Sequence, residues 1–390
     1  MTTAAAHARP WDLVLFGATG FVGQMIAAHL AEHAPPQLRW AIAGRSAAKL
    51  AALHAELPRT AEVAAIGVIE ADVDDPASLA AMAAQTKVVL TTVGPYVRWG
   101  EPVAAACVDA GAHYLDLTGE PIYVANLIER LHDRAREAGV ALVPCCGYDS
   151  IPVDLGVYYT VGQLPQGVPL RLRGYMQGNG APSGGTLASA IAIFAGEQRR
   201  GIAATIAPRT SADGRSVQPI KAKLHRNRAV RLWGLPMPTV DPSIALRSAG
   251  MLERYGPDFA YGHFVGMRRL PTVAATVVGG GIFFGAARLK PVQRLLTRMR
   301  PPGTGPSKER RDKSWFRLRI VGEGGGIRVI TEMSGGDPGY DETTKMVAEA
   351  AILMATDGAA EGGVLTPAVA FGDRLLERLD AVGLGLRRVD

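Results

Sequence analysis

The stretch that most constrains this chain is WDLVLFGATGFVGQMIAAHLAEH, residues 11–33. An apolar run of strand character leads into Gly17, Gly20 and Gly23, three residues apart, and a helix-like segment follows. In a strand–turn–helix unit the first glycine permits a tight turn. The second lets backbone approach a pyrophosphate at the helix N-terminus, and the third lets helix and strand pack closely. The spacing is G-x-x-G-x-x-G, not the usual G-x-G-x-x-G, so two readings stand. Gly17, Thr19, Gly20, Phe21, Val22 and Gly23 form a dinucleotide cradle, with the Thr19 hydroxyl added to the phosphates, or they form a plain turn in a chain rich in alanine and glycine.

The end of the second strand discriminates between nucleotides. An NAD site carries an acid there, about twenty residues past the glycines, for the ribose hydroxyls. Here the chain reads AIAGRSAAKL: Gly44 takes the acid's place, and Arg45, Ser46 and Lys49 follow. A guanidinium, a hydroxyl and an ammonium at that corner suit a 2′-phosphate. The expected cofactor is NADPH. After the third strand, Asp72 and Val73 are placed to border the adenine, with capping of the following helix as the alternative for Asp72. After the fourth, TTVGPY puts Gly94, Pro95 and Tyr96 on the nicotinamide side.

Strand candidates at Asp12–Phe16, Leu38–Ala43, Ala64–Glu70, Lys87–Val93, Tyr114–Leu117 and Val140–Pro144 alternate with helix candidates near 21–33, 46–56, 76–85, 101–110 and 121–138. That rhythm predicts a parallel sheet covered on both faces. Asp75-Pro76 and Glu101-Pro102 mark helix starts; Gly111 and Gly139 mark ends. Past about residue 155 the pattern changes. Residues 169–177 read as a strand, 183–198 as a helix, and 314–335 as an antiparallel hairpin with a Gly-rich turn. Helix candidates at 341–356 and 370–382 close the chain. The expected fold is α/β: a Rossmann-type, doubly wound parallel sheet over 1–155, to which the helices of 341–390 return, and a second α+β substrate domain over 156–340.

Of the 390 residues, 48% are apolar and 20% charged, as in a globular protein. The net charge of +6 is concentrated: Arg288–Lys313 holds nine Lys/Arg against Glu309 and Asp312. Lys221, Lys223, Arg226, Arg228 and Arg231 form a second basic run. The balance describes a patch, not a nucleic-acid-binding fold. Three cysteines without metal spacing, and an N-terminus lacking a signal peptide's apolar stretch, point to a cytoplasmic protein with no metal site. The run LPTVAATVVGGGIFFGAA (270–287) has eighteen uncharged residues bracketed by Arg268-Arg269 and Arg288/Lys290. It is buried core, an acyl-binding or membrane-interfacial segment, or a span. With the patch, it makes peripheral membrane contact through 268–313 one open reading.

Seven ordered motifs, GATGFVG, AGRS, TTVGPY, HYLDLTGE (113–120), PCCGYDSIPVDLG (144–156), GGDPGYDETTKM (335–346) and GGVLTPA (362–368), together resemble the saccharopine dehydrogenase-like oxidoreductases. The trans-acting enoyl reductases of lipid and polyketide assembly are the nearest branch. The likeness covers most of the chain and is weakest between about 200 and 300. It implies NADPH-dependent reduction of a carbon–carbon double bond on a carrier-bound acyl chain. Saccharopine-type members instead make or break a carbon–nitrogen bond on an amino-acid substrate.

Hydride chemistry needs a dry pocket and often a proton donor. The candidates are Tyr96, as donor or as cofactor wall, Asp116, as participant or as partner of a buried amide, and His113. Glu120 and Tyr114 lie in the same stretch. Asp149 and Ser150 read as helix caps. Arg171 and Arg173 share one face of a strand, a pattern that suits either a carboxylate pocket or a solvated edge. A reductase acting on carrier-bound chains also needs a surface for an acidic carrier, and the basic patch offers one. A cofactor-binding scaffold at a membrane, without catalysis, is the reading outside enzymology.

Overall fold

The structure, a computed structural model, describes residues 9–58, 65–179, 209–237, 239–286 and 305–390. Five strand–helix steps and a sixth strand build its first layer: β1 (Trp11–Phe16), α1 (Phe21–His33), β2 (Trp40–Gly44), α2 (Ala47–Glu56), β3 (Gly67–Glu70), α3 (Pro76–Ala84), β4 (Thr86–Thr91), α4 (Tyr96–Ala110), β5 (His113–Asp116), α5 (Pro121–Glu137) and β6 (Ala141–Val143). With β15 (Gly363–Val364) they form a seven-stranded sheet, ordered β15-β6-β5-β4-β1-β2-β3, parallel at every step. Alternation in β1 sends Leu13 and Leu15 to one apolar cluster and Val14 and Phe16 to the other, so both faces are covered. Connections stop where the chemistry dictates. Asp75 accepts the Ala77 amide with Pro76 in the first turn of α3, and Gly111 and Gly139 take φ +68° and +66° after α4 and α5.

The helix α6 (Ile151–Gly162) carries the chain to a mixed nine-stranded sheet. Its strands are β7 (Leu170–Gly178), β8 (Arg209–Thr210), β9 (Ser216–Pro219), β10 (His225–Asn227), β11 (Leu232–Pro236), β12 (Asp258–Met267), β13 (Phe316–Gly324), β14 (Ile327–Gly335) and β16 (Leu386–Arg388). The 314–335 hairpin forms as expected, with Gly325 and Gly326 at positive φ in its turn. Leu170, Leu172, Leu318, Ile320, Phe259 and Tyr261 face α6 and α7 (Asp241–Met251) and join the same apolar cluster that lines one side of the first sheet. One core therefore runs through both sheets.

Two expectations change here. The C-terminal segment does not return to the first sheet alone. α9 (Asp341–Asp357) packs on α1 and β15 extends the parallel sheet, but β16 pairs with β14 in the second sheet. Between them lie α10 (Pro367–Phe371) and α11 (Asp373–Ala381). The apolar run at 270 is not core: it forms α8 (Leu270–Ala286), on which Val273 is buried and Val277, Val278 and Ile282 are exposed. Among the described residues no helix is long and apolar enough to cross a membrane, and no His/Cys/Asp/Glu group is placed to hold a metal. The 183–198 helix and residues 288–304 of the basic patch lie outside the described residues.

Candidate nucleotide and substrate site

Two of the three glycines are demanded by a contact. Gly17 sits at φ +85°, and a Cβ there would lie 2.6 Å from the Thr92 hydroxyl and 2.8 Å from Val93. A Cβ on Gly23 would lie 2.3 Å from the Gly17 carbonyl oxygen and 2.8 Å from Ala18 Cα, backbone atoms that cannot rotate away. Gly20 is the N-cap of α1, extended at φ −75°, with its amide donating to Gly17 O at 3.0 Å. No side chain caps α1 and no acid stands in its first turn. The starts of α2, α3 and α4 are instead closed by Ser46, Asp75 and Glu120. An uncapped helix start behind a glycine turn is an anion site by construction. The cradle fits a dinucleotide's phosphates.

The second corner lies beside it. A cavity of about 240 Å³ is lined by Thr19, Gln24, Lys49, Ala52, Leu53 and Glu56. Arg45 and Lys49 are exposed and pair with no carboxylate among the described residues. Ser46 accepts the Lys49 amide at 3.4 Å and so caps α2. Asp72 is not the cap of α3: its Oδ1 accepts the Asp74 amide at 3.1 Å, while Asp75 caps. Val73 packs against the cluster behind the sheet. Gly94 and Pro95, joined by a cis peptide, precede α4.

α4 begins at Tyr96, earlier than the Glu101-Pro102 pair suggests, and Pro102 lies within it. The reason is distant in sequence. Glu120 Oε1 accepts the Tyr96 amide at 3.0 Å and Oε2 accepts the Val97 amide at 2.9 Å, so its carboxylate nucleates the first turn. The Glu120-Pro121 pair signals a helix start, but nothing local reveals that Glu120 starts another helix.

The three catalytic candidates do not all converge: the charge of Asp116 reaches Tyr96, but His113 stands apart. Tyr96 is 6% exposed, and its hydroxyl donates to the Thr91 carbonyl at 3.2 Å. Burial raises its pKa well above the phenol range, which keeps it neutral but leaves it committed to backbone. Asp116 is fully buried: Oδ1 accepts the Thr118 amide at 2.9 Å and the Cys145 amide at 3.0 Å, and Oδ2 accepts the Tyr114 hydroxyl at 2.8 Å. Burial lifts its pKa to about 6 against those hydrogen bonds. It is a brace between β5 and the turn after β6. His113 opens β5, three residues before Asp116 and at the opposite end of the strand. Its Nδ1 accepts the Ala141 amide at 3.0 Å, and burial lowers its pKa.

Two buried acids lie outside the candidate set. The Asp149 carboxyl lies flush on the Gly119 backbone, where an added Cβ would approach its Oδ2 to 2.5 Å. Burial raises Asp149 to about 6. Asp241, at the start of α7, is 6% exposed and rises to about 8, first by burial and then through Asp149's charge. Ser150 caps nothing with its side chain. The GGDPGYDETTKM segment returns over the glycine turn: Tyr340 meets the Phe21 ring edge-on at 5.1 Å, and Arg311, paired with Asp341 at 2.9 Å, lies 5.8 Å from that ring.

The second sheet contributes a basic surface. Its face away from α6 and α7 carries Arg171, Arg173, Arg317, Arg319, Arg328 and Arg387 against Glu323 and Glu332. The two acids are bonded into it, Glu332 to Arg319 at 2.8 Å and Arg387 at 2.9 Å, Glu323 to Arg328 at 2.8 Å and Arg173 at 3.7 Å. A cavity of about 430 Å³ opens on this side between Arg173, Lys221, Lys223, His225, Arg226 and Arg228. The sheet separates it from the helices that follow the nucleotide cradle.

Comparison with known proteins agrees with this architecture. Residues 13–143 match the saccharopine dehydrogenase NADP binding domain. A Mycobacterium tuberculosis relative, whose name provisionally places it among trans-acting enoyl reductases, is 36% identical with 98% of each chain covered. The Mycobacterium ulcerans trans-acting enoyl reductase is 34% identical over 96% of this chain and 97% of its own. Apo saccharopine dehydrogenase (L-Glu forming) from Saccharomyces cerevisiae shares the fold, with TM-score 0.55 at 15% identity over 97% of this chain and 99% of that one. The chain belongs to the saccharopine dehydrogenase-like oxidoreductases, in the branch of the trans-acting enoyl reductases, and is an NADP-dependent member of that family.

Proposed function

We propose that this chain reduces the carbon–carbon double bond of an enoyl chain tethered to a carrier protein. The observation that carries the reading is the near full-length likeness, at 34–36% identity, to relatives named trans-acting enoyl reductases. When bound, NADPH supplies the hydride. The residues of this chain do the holding. The open amides at the start of α1 and the bend at Gly17 take the diphosphate, Arg45 and Lys49 take the 2′-phosphate, Asp72 and Val73 border the adenine, and Gly94 and Pro95 border the nicotinamide. Tyr96 walls the site, with Glu120 and Asp116 bracing the loops behind it. Because the Tyr96 hydroxyl is committed to Thr91, the proton at the α-carbon comes from water in the cleft.

An enzyme acting in trans must dock on its carrier. The basic face of the second sheet complements an acidic one, and that field speeds encounter more than it strengthens binding. Oxidation of NADPH should accelerate with carrier-bound or pantetheine-bound enoyl thioesters and not with 2-oxo acid and amine pairs; the reverse selectivity would make the protein a carbon–nitrogen reductase. Arg226→Glu with Arg228→Glu should raise KM for the carrier-bound substrate on the order of tenfold and spare a small soluble thioester. Equal loss on both would remove the docking role.

A further inference from the structure

Helix α8 is the most apolar of the long helices described, and Val273 is the one residue among its described side chains that is buried. No charged residue stands between Leu270 and Ala286. Val277, Val278 and Ile282 are 53%, 62% and 68% exposed, and Leu270 is also exposed. Val273, 2% exposed, is its anchor to the rest of the chain. At about 100° per residue Leu270, Val277, Val278 and Ile282 span roughly 140° of the circumference, and Thr272, Thr276 and Phe283, also exposed, occupy the opposite side. A Cβ added at Gly279, Gly280, Gly281 or Gly285 would meet nothing within 4 Å, which opens the remaining directions as well. At these four glycines the second half of the helix stands clear of the described chain.

A partner protein or a second copy covers one stripe of a helix; an uncharged helix exposed on both its apolar stripe and the side opposite calls for a medium that surrounds it. The ends say which medium. Arg268 and Arg269 precede the helix, both exposed, and Arg288 and Lys290 follow it in the sequence. Cations bracketing an uncharged run match the phosphates that bracket acyl chains. Three consecutive glycines also make a poor helix in water. Hydrocarbon offers the backbone amides no other partner and so enforces the helix. Seventeen residues give about 25 Å, short of the roughly 30 Å of a bilayer's hydrocarbon.

We propose that α8 inserts into one leaflet of an anionic membrane, with Arg268 and Arg269 at the headgroups, and holds the enzyme at the lipid surface. The inference does not depend on the reaction assigned above, and its test reads binding, not turnover. The full chain is floated with phosphatidylcholine vesicles, with or without phosphatidylglycerol. Wild type should float with the anionic vesicles. Val278→Asp with Ile282→Asp, both at exposed positions, should lower the partition coefficient by on the order of tenfold or more. Arg268→Glu with Arg269→Glu should abolish the preference for phosphatidylglycerol. As a gain of signal, Ile282→Trp should emit at shorter wavelength on vesicles and be quenched by brominated acyl chains. The proposal fails if wild type floats with neither vesicle, or if the aspartate pair floats like wild type. It fails equally if that pair only converts a dimer to a monomer, which would make α8 a contact between copies.

Discussion

The corner after β2 gives the sharpest quantitative test of nucleotide recognition. Arg45 and Lys49 have no carboxylate to satisfy among the described residues, and Lys49 lines the cavity that also contains Thr19. Removing either therefore breaks no ion pair of the protein, and any loss reports on the ligand. Hydrogen bonds to charged groups contribute about 1.5–3 kcal/mol. Both side chains are exposed, so solvent screening puts the lower end in force, about 1.5 kcal/mol or tenfold in Kd. Arg45→Ala should weaken NADPH about tenfold and leave NADH unchanged. Lys49→Ala should cost less, since a flexible ammonium lacks the guanidinium's fixed fork. The double variant should fall short of the product of the two, because both act on one phosphate. Arg45→Asp should invert the preference. Fluorescence titration at low and moderate salt measures all of these, and the NADPH advantage should shrink as salt rises. Equal affinity of the native chain for NADH and NADPH, or an Arg45→Ala variant that weakens both alike, would refute the assignment.

Gly23→Ala forces a methyl to within 2.3 Å of the Gly17 oxygen, so calorimetry should show about 1–3 kcal/mol lost and nucleotide binding should fall with it. Tyr96→Phe removes one hydroxyl bond to Thr91 and should cost about 1 kcal/mol of stability with kcat nearly intact. A steep drop in kcat at normal stability and NADPH affinity would restore Tyr96 as proton donor. Asp241 titrates near 8 when folded, against 3.8 as its ordinary value, so between those values the folded chain holds a proton the unfolded chain has released. Its contribution to stability is present below pH 4 and declines by about 1.4 kcal/mol per pH unit as pH rises toward 8. Asp241→Asn should flatten that part of a denaturant-melt profile, and an unchanged slope would mean the carboxyl ionises freely in the fold.

What could be read without coordinates was whatever neighbouring residues decide. The parallel strands β1 and β2 are largely apolar runs of six and five residues, and α3 begins at Asp75-Pro76 because a side chain two residues away caps it. The glycine turn was legible because the steric demand on Gly23 comes from Gly17 and Ala18, within seven residues, although that on Gly17 comes from the distant Thr92 and Val93. The misread features share the opposite property. The start of α4 depends on Glu120, twenty-four residues beyond Tyr96, and its own sequence offers the misleading Glu101-Pro102 pair. His113 and Asp116 share a strand, but strand direction, fixed by pairing with β4, separates them into a buried prop and a brace at the site's edge. Alternation alone placed Arg171 and Arg173 on one face; it could not reveal that Arg317, Arg319, Arg328 and Arg387 would join them, because strand register decides that. The hydropathy of residues 270–286 is the limiting case. Composition there favours burial, but burial needs a surface, and among the described side chains of α8 Val273 alone is buried. The sequence encodes the demand for an apolar environment, and the structure shows that the rest of the chain does not meet it.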